Sequence, residues 1–423
     1  MSTSRRHWIL IALTIAVGLP SPVLRLLIVT GAPHPHLGST GEAILFGIAI
    51  FAAALLLTWV SEVAETEIAQ TLALVALALV AVLPEYAVDV YFAWTAPDTP
   101  AHGHLAIANM TGGNRLLVGM AWPLIFFIFW RQTRRLELPV GRHNAIGILF
   151  LGAATFYSFS IPIRGSLSLI DTAAMFALFG LYLYVSSRSP TREVEEFVGP
   201  AAAIAALPRG PRRLLLLLLF LFSAGVVFAA AEPFAEGLVH TGQNLGVDEF
   251  VLVQWVAPLA SESPEFLLAA MLAMRGRSGA AMTILLSSKV NQWTLLVGSL
   301  PLAYSISGLT LSPLDFDSRQ AEEVFLTAGQ SAFAVVVFIS LSMAYWEAIL
   351  LAVLFSTQLF FLDQTVRVGY GAAYVTLAVI TLTLQRTSVP PFFRLSRALA
   401  LEAVDPEHYR EHGEDPPPNR GPP

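Results

Sequence analysis

The chain contains no cysteine and little charge. Its 423 residues include no thiol, which excludes disulfides, thiol nucleophiles and thiolate metal sites. Only 13% of the residues are charged, whereas about a quarter are charged in a soluble domain, and 55% are hydrophobic. The apolar runs are continuous for about twenty residues, as spanning helices require, and do not alternate like the strands of a membrane barrel. Composition therefore predicts an all-α polytopic membrane protein.

Signatures of nucleotide chemistry are also missing. The sequence has no phosphate-cradling glycine loop and no nucleophile elbow, so we expect neither an ATP-driven pump nor another enzyme. We expect no cofactor beyond a transported cation, Ca²⁺ or Na⁺, and no nucleic-acid partner. The expected partners are inorganic cations, protons and the lipid bilayer.

The apolar runs predict about twelve transmembrane helices of roughly 17–25 residues each. They lie near 8–29, 42–60, 67–94, 103–130, 143–161, 167–187, 214–239, 248–274, 279–306, 322–342, 344–363 and 368–385. The least distinct boundary is the short break at 342–346.

Arginines predict the orientation of these spans. Cytoplasmic loops carry an excess of Lys and Arg. With both termini cytoplasmic, every arginine cluster falls on the cytoplasmic face: Arg131, Arg134, Arg135 and Arg142; Arg188, Arg192, Arg209, Arg212 and Arg213; Arg275 and Arg277; and those from Arg386 onward. The opposite face holds the scattered Arg25, Arg164, Arg319 and Arg367. We expect an integral protein of the plasma (inner) membrane.

A charged, proline-containing segment divides the chain into two comparable halves. We expect an extra helix in 1–40, a first five-helix repeat in 41–187, a cytoplasmic linker in 188–213, a second repeat in 214–363, an extra helix in 364–385 and a disordered cytoplasmic tail in 386–423. The two repeats enter the membrane from opposite sides, so they are predicted to be inverted.

Each half has a proline followed at once by a carboxylate inside an apolar span, at Pro84-Glu85 and Pro264-Glu265. A carboxylate within hydrocarbon costs several kcal/mol, so it usually lines a polar pathway. Proline frees backbone carbonyls at the same depth. Interrupted helices at matching positions of two halves indicate the binding site of a transporter.

Further polar residues accompany these two acids. Asp89 and Glu262 lie on the same helical faces as Glu85 and Glu265, three or four residues away. Carboxylates, freed carbonyls and the hydroxyls of Ser261 and Ser263 together could bind Ca²⁺, which takes six to eight oxygens, or they could bind Na⁺ or exchange protons. Alternatively, these acids cap broken helices or pair with buried arginine.

One helix after each acid comes a second polar stretch. The first contains Asn114 and Arg115, and the second contains Lys289, the only lysine of the chain, followed by Asn291 and Gln292. Glycine and serine in these stretches permit close helix packing, but packing does not explain the amides or the two cations.

These motifs resemble those of the calcium/cation antiporter superfamily, which includes the sodium/calcium exchangers. That family has two inverted five-helix repeats, each with a G-T-S-L-P-E motif and, one helix later, a G-S-N-I-F-N stretch. Leu83-Pro84-Glu85 matches the end of the acidic motif, and Ser261-Glu262-Ser263-Pro264-Glu265 matches it with an added glutamate. The resemblance implies that Glu85 and Glu265 are the principal cation ligands.

The chain departs from the family pattern at two positions. Gly112-Gly113-Asn114 keeps the second motif, but Arg115 follows where the family has an apolar residue. In the other half, Ser287-Ser288-Lys289 has a lysine where the family has asparagine. An ammonium there could replace one bound Na⁺, carry the exchanged proton, or form a static ion pair.

The sequence therefore predicts a secondary antiporter that moves Ca²⁺ or a monovalent cation against Na⁺ or H⁺ by alternating access. Glu85 and Glu265 bind the cation, and Asn114, Gln292 and the two serines complete its shell. Asp89, Glu262, Lys289 and Arg115 tune charge or carry protons. The alternatives are a Na⁺/H⁺ exchanger that does not transport calcium and an uncoupled cation channel.

Overall fold

The computed structural model describes residues 3–64, 83–188, 197 and 199–404. Within these ranges the chain is mostly helical, and eight helical runs are long and apolar enough to cross a membrane. These runs are Arg5–Thr30, Gly38–Ala64, Pro100–Thr133, Arg142–Arg164, Leu169–Arg188, Arg209–Leu245, Ser318–Ser340 and Gln364–Leu384. The protein is an integral membrane protein, as its composition predicts.

The first half consists of helices and two short strands. In chain order they are α1 Thr3–Gly18, α2 Pro20–Thr30, α3 Gly38–Ala64, α4 Leu83–Thr95, α5 Pro100–Leu116, a π-helical segment Leu117–Ala121, α6 Trp122–Thr133, β1 Glu137–Pro139, a 3-10 turn Arg142–Asn144, α7 Ala145–Ser158, α8 Ser160–Arg164, β2 Ser166–Leu167 and α9 Leu169–Arg188.

The described residues of the second half also form helices and two short strands. In chain order they are α10 Pro200–Ala205, α11 Arg209–Leu245, α12 Glu249–Met274, α13 Ser278–Asn291, a π-helical segment Gln292–Leu296, α14 Val297–Ser307, β3 Leu314–Asp315, α15 Ser318–Val337, a 3-10 turn Phe338–Ser340, β4 Ser342–Ala344, α16 Tyr345–Gln358, α17 Gln364–Leu384 and α18 Val389–Val404.

Short polar side chains start several of these helices. The Asp248 carboxylate accepts the backbone N–H of Phe250 at 2.9 Å and begins α12. Asp317 and Gln320 form a reciprocal capping box at the start of α15. Such caps satisfy backbone N–H groups that have no intrahelical partner, so they fix where these helices begin.

The central helices pack with their backbones in contact. A β-carbon built on Gly112 of α5 would lie 1.8 Å from the backbone oxygen of Gln254 in α12. The absence of a side chain at Gly112 therefore lets α5 and α12 touch, as small residues do at helix interfaces in membranes. This contact sets the positions of the polar residues that follow Gly112.

Two antiparallel strand pairs join the halves. β1 pairs with β4, with Leu138 opposite Met343, and β2 pairs with β3, with Leu167 opposite Leu314. In both pairs, a strand from the first half meets one from the second, so each pair bonds one half to the other through backbone hydrogen bonds.

The described helices follow the predicted spans closely. The predicted break at 342–346 is confirmed, since β4 separates the 3-10 turn ending at Ser340 from α16, which begins at Tyr345. The span predicted at 67–94 lies partly outside the described residues, and α4 forms its last part. Residues 189–196 and 198 of the predicted 188–213 linker also lie outside them, whereas Pro200–Ala205 form α10 and α11 begins at Arg209.

The prediction of a disordered tail from residue 386 is wrong for residues 389–404, which form α18. Apolar residues recur along this helix at spacings of three and four, and they pack against α7 and α9. They include Phe392, Leu395, Leu399 and Ala403. Burial of this face stabilises the helix, and residues 405–423 lie outside the described part of the chain.

Candidate functional site

The carboxylates predicted to bind a cation converge between α4 and α12. Glu85 lies in the first turn of α4, and Glu262 and Glu265 lie beside Pro264 within α12. Glu85 is 6% exposed and Glu262 is 2% exposed. The charge of Glu85 interacts repulsively with those of Glu262, Asp89 and Glu265, so the structure brings all four predicted acids into one cluster.

Gly113 of α5 forms one wall of this carboxylate cluster. A β-carbon at Gly113 would lie 2.2 Å from Oε1 of Glu262 and 3.6 Å from Oε1 of Glu85. Two carboxylates, one from each half of the chain, therefore approach the backbone of the same helix. A side chain at this position would displace the Glu262 carboxylate.

Hydroxyl and amide groups surround the cluster. Ser288 donates its hydroxyl hydrogen bond to Oε2 of Glu265 at 2.6 Å. Tyr86, next to Glu85, donates to Oδ1 of Asn291 at 3.0 Å. These two bonds attach α13 to both acidic helices, and neither Ser288 nor Tyr86 was among the predicted ligands.

Several oxygens of the cluster are buried without a hydrogen bond. Neither oxygen of Glu262 or of Asp89 has a partner in good hydrogen-bonding geometry among the described residues, and the Asn109 side chain and the Met110 backbone lie close to the Asp89 carboxylate. The Gln292 amide lies close to Glu85 and Glu262 but outside hydrogen-bonding geometry. Buried polar groups rarely remain unpaired, and oxygens left in this state are suited to a cation or a proton.

The two predicted serine ligands differ in their surroundings. Ser261 is 7% exposed, and its hydroxyl donates to the backbone oxygens of Ala257 and Pro258. Ser263 donates to the backbone oxygen of Leu259. Both hydroxyls are bonded to their own helix, and no described hydrogen bond connects either of them to Glu85 or Glu265.

Lys289 is fully buried and contacts the first half of the chain. Its Nζ donates to Oδ1 of Asn114 at 2.7 Å and to the backbone oxygen of Asn114 at 3.3 Å. The same nitrogen lies 4.6 Å from the ring centroid of Trp293, within cation–π range. The side chain therefore lies beside the carboxylate cluster, where a charge on it would attract those of Glu262 and Glu85.

A π-helical segment follows each of these two polar positions. Leu117–Ala121 begins three residues after Asn114, and Gln292–Leu296 begins three residues after Lys289. A π-helical turn shifts the hydrogen-bond register of the backbone and occurs frequently at functional sites. Here it re-orients the helix at the same point in both halves.

Arg115 points away from the acids and belongs to a second polar group. Its guanidinium forms an ion pair with Glu323 of α15 and lies 5.1 Å from the ring centroid of Trp255. Glu323 also pairs with Arg367 of α17, which the sequence placed as a scattered arginine of the outer face. The side chains of Arg115 and Glu323 are completely buried.

Three histidines line a separate cavity of about 460 Å³. His102, His104 and His240 share it with acids that include Glu236 and Asp317. Among the described residues, no three His, Asp or Glu side chains, here or in the carboxylate cluster, lie close enough together to hold a metal ion. A cation at the carboxylate cluster would therefore require those acids to close around it.

The fold and the cluster define a class of protein. Helices from two halves of an integral membrane protein enclose buried acids, amides and one lysine, an arrangement typical of ion transporters. The chain belongs to the sodium/calcium exchanger protein family, whose model matches residues 40–188 and 215–362. The predicted membership of the calcium/cation antiporter superfamily is therefore confirmed, and it indicates cation antiport.

Solved structures show the same fold. The crystal structure of the H⁺/Ca²⁺ exchanger CAX is 39% identical to this chain, with a TM-score of 0.87, and the match covers 94% of this chain and 99% of that one. YfkE is 14% identical with a TM-score of 0.59, covering 89% of this chain and 99% of its own. The sodium-calcium exchanger NCX_Mj is 17% identical with a TM-score of 0.52, covering 77% and 99%. No curated protein matches the chain.

Proposed function

We propose that the protein is a secondary antiporter that exchanges Ca²⁺ for H⁺ across the plasma (inner) membrane. The observation that carries this proposal is the buried carboxylate cluster shared by α4 and α12, with unpaired oxygens against the backbone at Gly113. Hard oxygen ligands are those that Ca²⁺ prefers, and the same carboxylates bind protons when the metal leaves. The likeness to an H⁺/Ca²⁺ exchanger supports both substrates.

In this proposal, Glu85 and Glu265 are the principal ligands. Glu262 contributes further negative charge, and the Gln292 amide completes the ligand shell. Asp89 of α4, which faces α5, tunes the charge of the cluster. The bond from Ser288 orients Glu265. The ammonium of Lys289 donates a hydrogen bond to the side chain of Asn114 and takes the place of a second bound cation. A fixed positive charge there disfavours the additional Na⁺ ions that a sodium-coupled exchanger needs, and so it favours proton coupling.

The transport cycle follows from two inverted repeats of five helices, with twelve spans in all and both termini cytoplasmic. The matching π-helical segments and the two strand pairs that join the halves support this layout. Rocking of the halves about the shared carboxylate cluster would open it to each side in turn. No cofactor takes part, since the transported ions are the only species that the cycle requires.

A Na⁺/H⁺ exchanger without calcium transport is the second candidate. Lys289 favours it, because its charge reduces the attraction of the cluster for a divalent ion more than for a monovalent one.

Ion flux in proteoliposomes tests the proposal. The purified protein is reconstituted, and ⁴⁵Ca²⁺ is supplied outside against an outward H⁺ gradient, an outward Na⁺ gradient or no gradient. We expect uptake driven by the H⁺ gradient. Uptake that only Na⁺ drives would contradict proton coupling, and H⁺-coupled ²²Na⁺ uptake without ⁴⁵Ca²⁺ uptake would establish the second candidate.

A further inference from the structure

Two arginines and two glutamates form a buried charge network beside the carboxylate cluster. Glu323 pairs with both Arg115 and Arg367, and Nε of Arg367 lies 3.8 Å from Oε1 of Glu322. Gln254 donates to Oε2 of Glu323 at 2.9 Å. All four charged side chains are at most 4% exposed. The network is balanced in charge, which such burial requires.

The network connects three helices that are far apart in the sequence. Arg115 belongs to α5, Glu322 and Glu323 to α15, and Arg367 to α17. Residue 367 lies beyond the segments that match the family model, which end at residue 362. The last spanning helix of this chain therefore contributes one of the two positive charges around Glu323.

Arg115 is the point at which the network meets the proposed ion site. It directly follows Asn114, which accepts the hydrogen bond of Lys289, and its charge repels that of Lys289. Its Nε donates to the backbone oxygen of Thr111 at 3.3 Å, while its guanidinium is held by Glu323. An unpaired guanidinium here would repel an entering cation or pair with a carboxylate of the cluster, and either event weakens cation binding.

We propose that Glu323 is a positioning residue that keeps the charge of Arg115 out of the ion site. This inference rests on the proposed function, since it concerns the affinity of the same site for its cation. A residue that only stabilised the fold would change the amount of active protein and leave the affinity of that protein for its cation unchanged.

Two double variants of equal charge separate these roles. Arg367→Gln/Glu322→Gln keeps the Arg115–Glu323 pair, whereas Arg367→Gln/Glu323→Gln removes the partner of Arg115. Both lose Arg367 and one glutamate, so their net charge is matched, and they differ in whether Glu323 still contacts Arg115 and Gln254. The readouts are the dissociation constant for ⁴⁵Ca²⁺, from equilibrium binding to purified protein, and KM against maximal rate in proteoliposomes.

We expect the first double variant to keep the wild-type dissociation constant within about twofold and the second to raise it about tenfold or more. Equal constants in the two variants, with normal wild-type binding, would overturn this inference alone. A wild type that binds no Ca²⁺ would instead contradict the proposed function. If the second variant does not fold, Glu323→Asp is tested instead. This substitution keeps the negative charge but moves the carboxylate away from Arg115. Its expected effect is a raised dissociation constant, and an unchanged one would overturn the inference.

Discussion

The two halves of the molecule contribute different charges to the buried cluster. The first half contributes Glu85, Asp89 and an asparagine, Asn114. The second contributes Glu262, Glu265 and a lysine, Lys289. Asn114 and Lys289 are 175 residues apart in sequence, as are the starts of the two π-helical segments, and they hydrogen-bond to each other. The halves therefore meet at equivalent residues with unlike side chains.

This difference shows how basic residues can be added to a buried acidic site while most of its negative charge is kept. Relative to the family motifs, the second half has gained an acid at Glu262 and a base at Lys289, and the two attract each other. In the proposed site, a lysine added alone would offset the charge of one of the acids. The first half has its own added base, Arg115, which is compensated from outside the site by Glu323. Each of these two basic residues thus lies beside an acid of another helix.

Removing one principal acid from either half should have the largest effect. We expect Glu85→Gln or Glu265→Gln to lower Ca²⁺ transport more than about 100-fold, because in the proposed site each half supplies one direct ligand. The amide keeps the shape of the side chain, so elution on size exclusion should not change. Glu249→Gln, at the other end of the helix that carries Glu265, is the matched control. Normal ⁴⁵Ca²⁺ flux in both site variants would contradict the ligand assignment.

Placing a methyl group between the halves should have the next largest effect. The β-carbon of Gly113→Ala would lie 2.2 Å from Oε1 of Glu262, so this carboxylate must move. We expect a rise in the Ca²⁺ dissociation constant of about tenfold to 100-fold, measured by equilibrium binding. Gly180→Ala in α9, where a β-carbon meets nothing within 4 Å, should bind normally. Equal affinity of the two variants would show that the Glu262 carboxylate does not bind the cation.

Making the halves more alike tests the lysine. Lys289→Asn gives both halves an asparagine at this point, and we expect Na⁺ to compete with Ca²⁺ uptake in this variant but not in the wild type. Lys289→Met removes the charge without supplying an amide oxygen, so Na⁺ should compete less than in Lys289→Asn. Competition is measured as the Na⁺ concentration that halves ⁴⁵Ca²⁺ uptake. Equal insensitivity of wild type and Lys289→Asn to Na⁺ would contradict the role given to the ammonium.

The smallest effect is expected from a single hydroxyl in the second half. Ser288→Ala removes the 2.6 Å hydrogen bond to Glu265. The loss of a hydrogen bond to a charged group costs about 1.5 kcal/mol at the lower end of its usual range, which corresponds to roughly tenfold weaker binding. We expect KM for Ca²⁺ to rise about threefold to tenfold. Ser263→Ala, on the same helix as Glu265 but bonded to Leu259, should leave KM unchanged. A larger rise in KM for Ser263→Ala than for Ser288→Ala would contradict the role given to Ser288.

The acids of the site could be predicted from sequence because each is anomalous where it stands. A carboxylate beside proline within an apolar run has few structural explanations, and this applies to Glu85 and Glu265. A lone lysine in such a run is equally conspicuous. Proximity in sequence to the acids predicts Ser261 and Ser263 as ligands. It does not reveal that each hydroxyl donates a hydrogen bond to the backbone of its own helix.

The partners of Arg115 could not be predicted in the same way. Glu322 and Glu323 begin a predicted span, and Arg367 lies just before another, where charged residues are ordinarily solvated. Their pairing requires that α5, α15 and α17 pack together, which local sequence does not encode. The helix at Val389–Val404 was missed for a related reason, since its apolar stripe is short and the helices that cover it are distant in sequence.

Locating the cation in a structure determined with bound Sr²⁺ or Ca²⁺ tests the central claim most directly. The account predicts one anomalous peak between Glu85 and Glu265, within ligand distance of oxygens from both halves and beside Gly113, with the Lys289 ammonium nearby. A peak held by acids of one half alone, or found instead in the histidine-lined cavity, would contradict a site shared between the two halves.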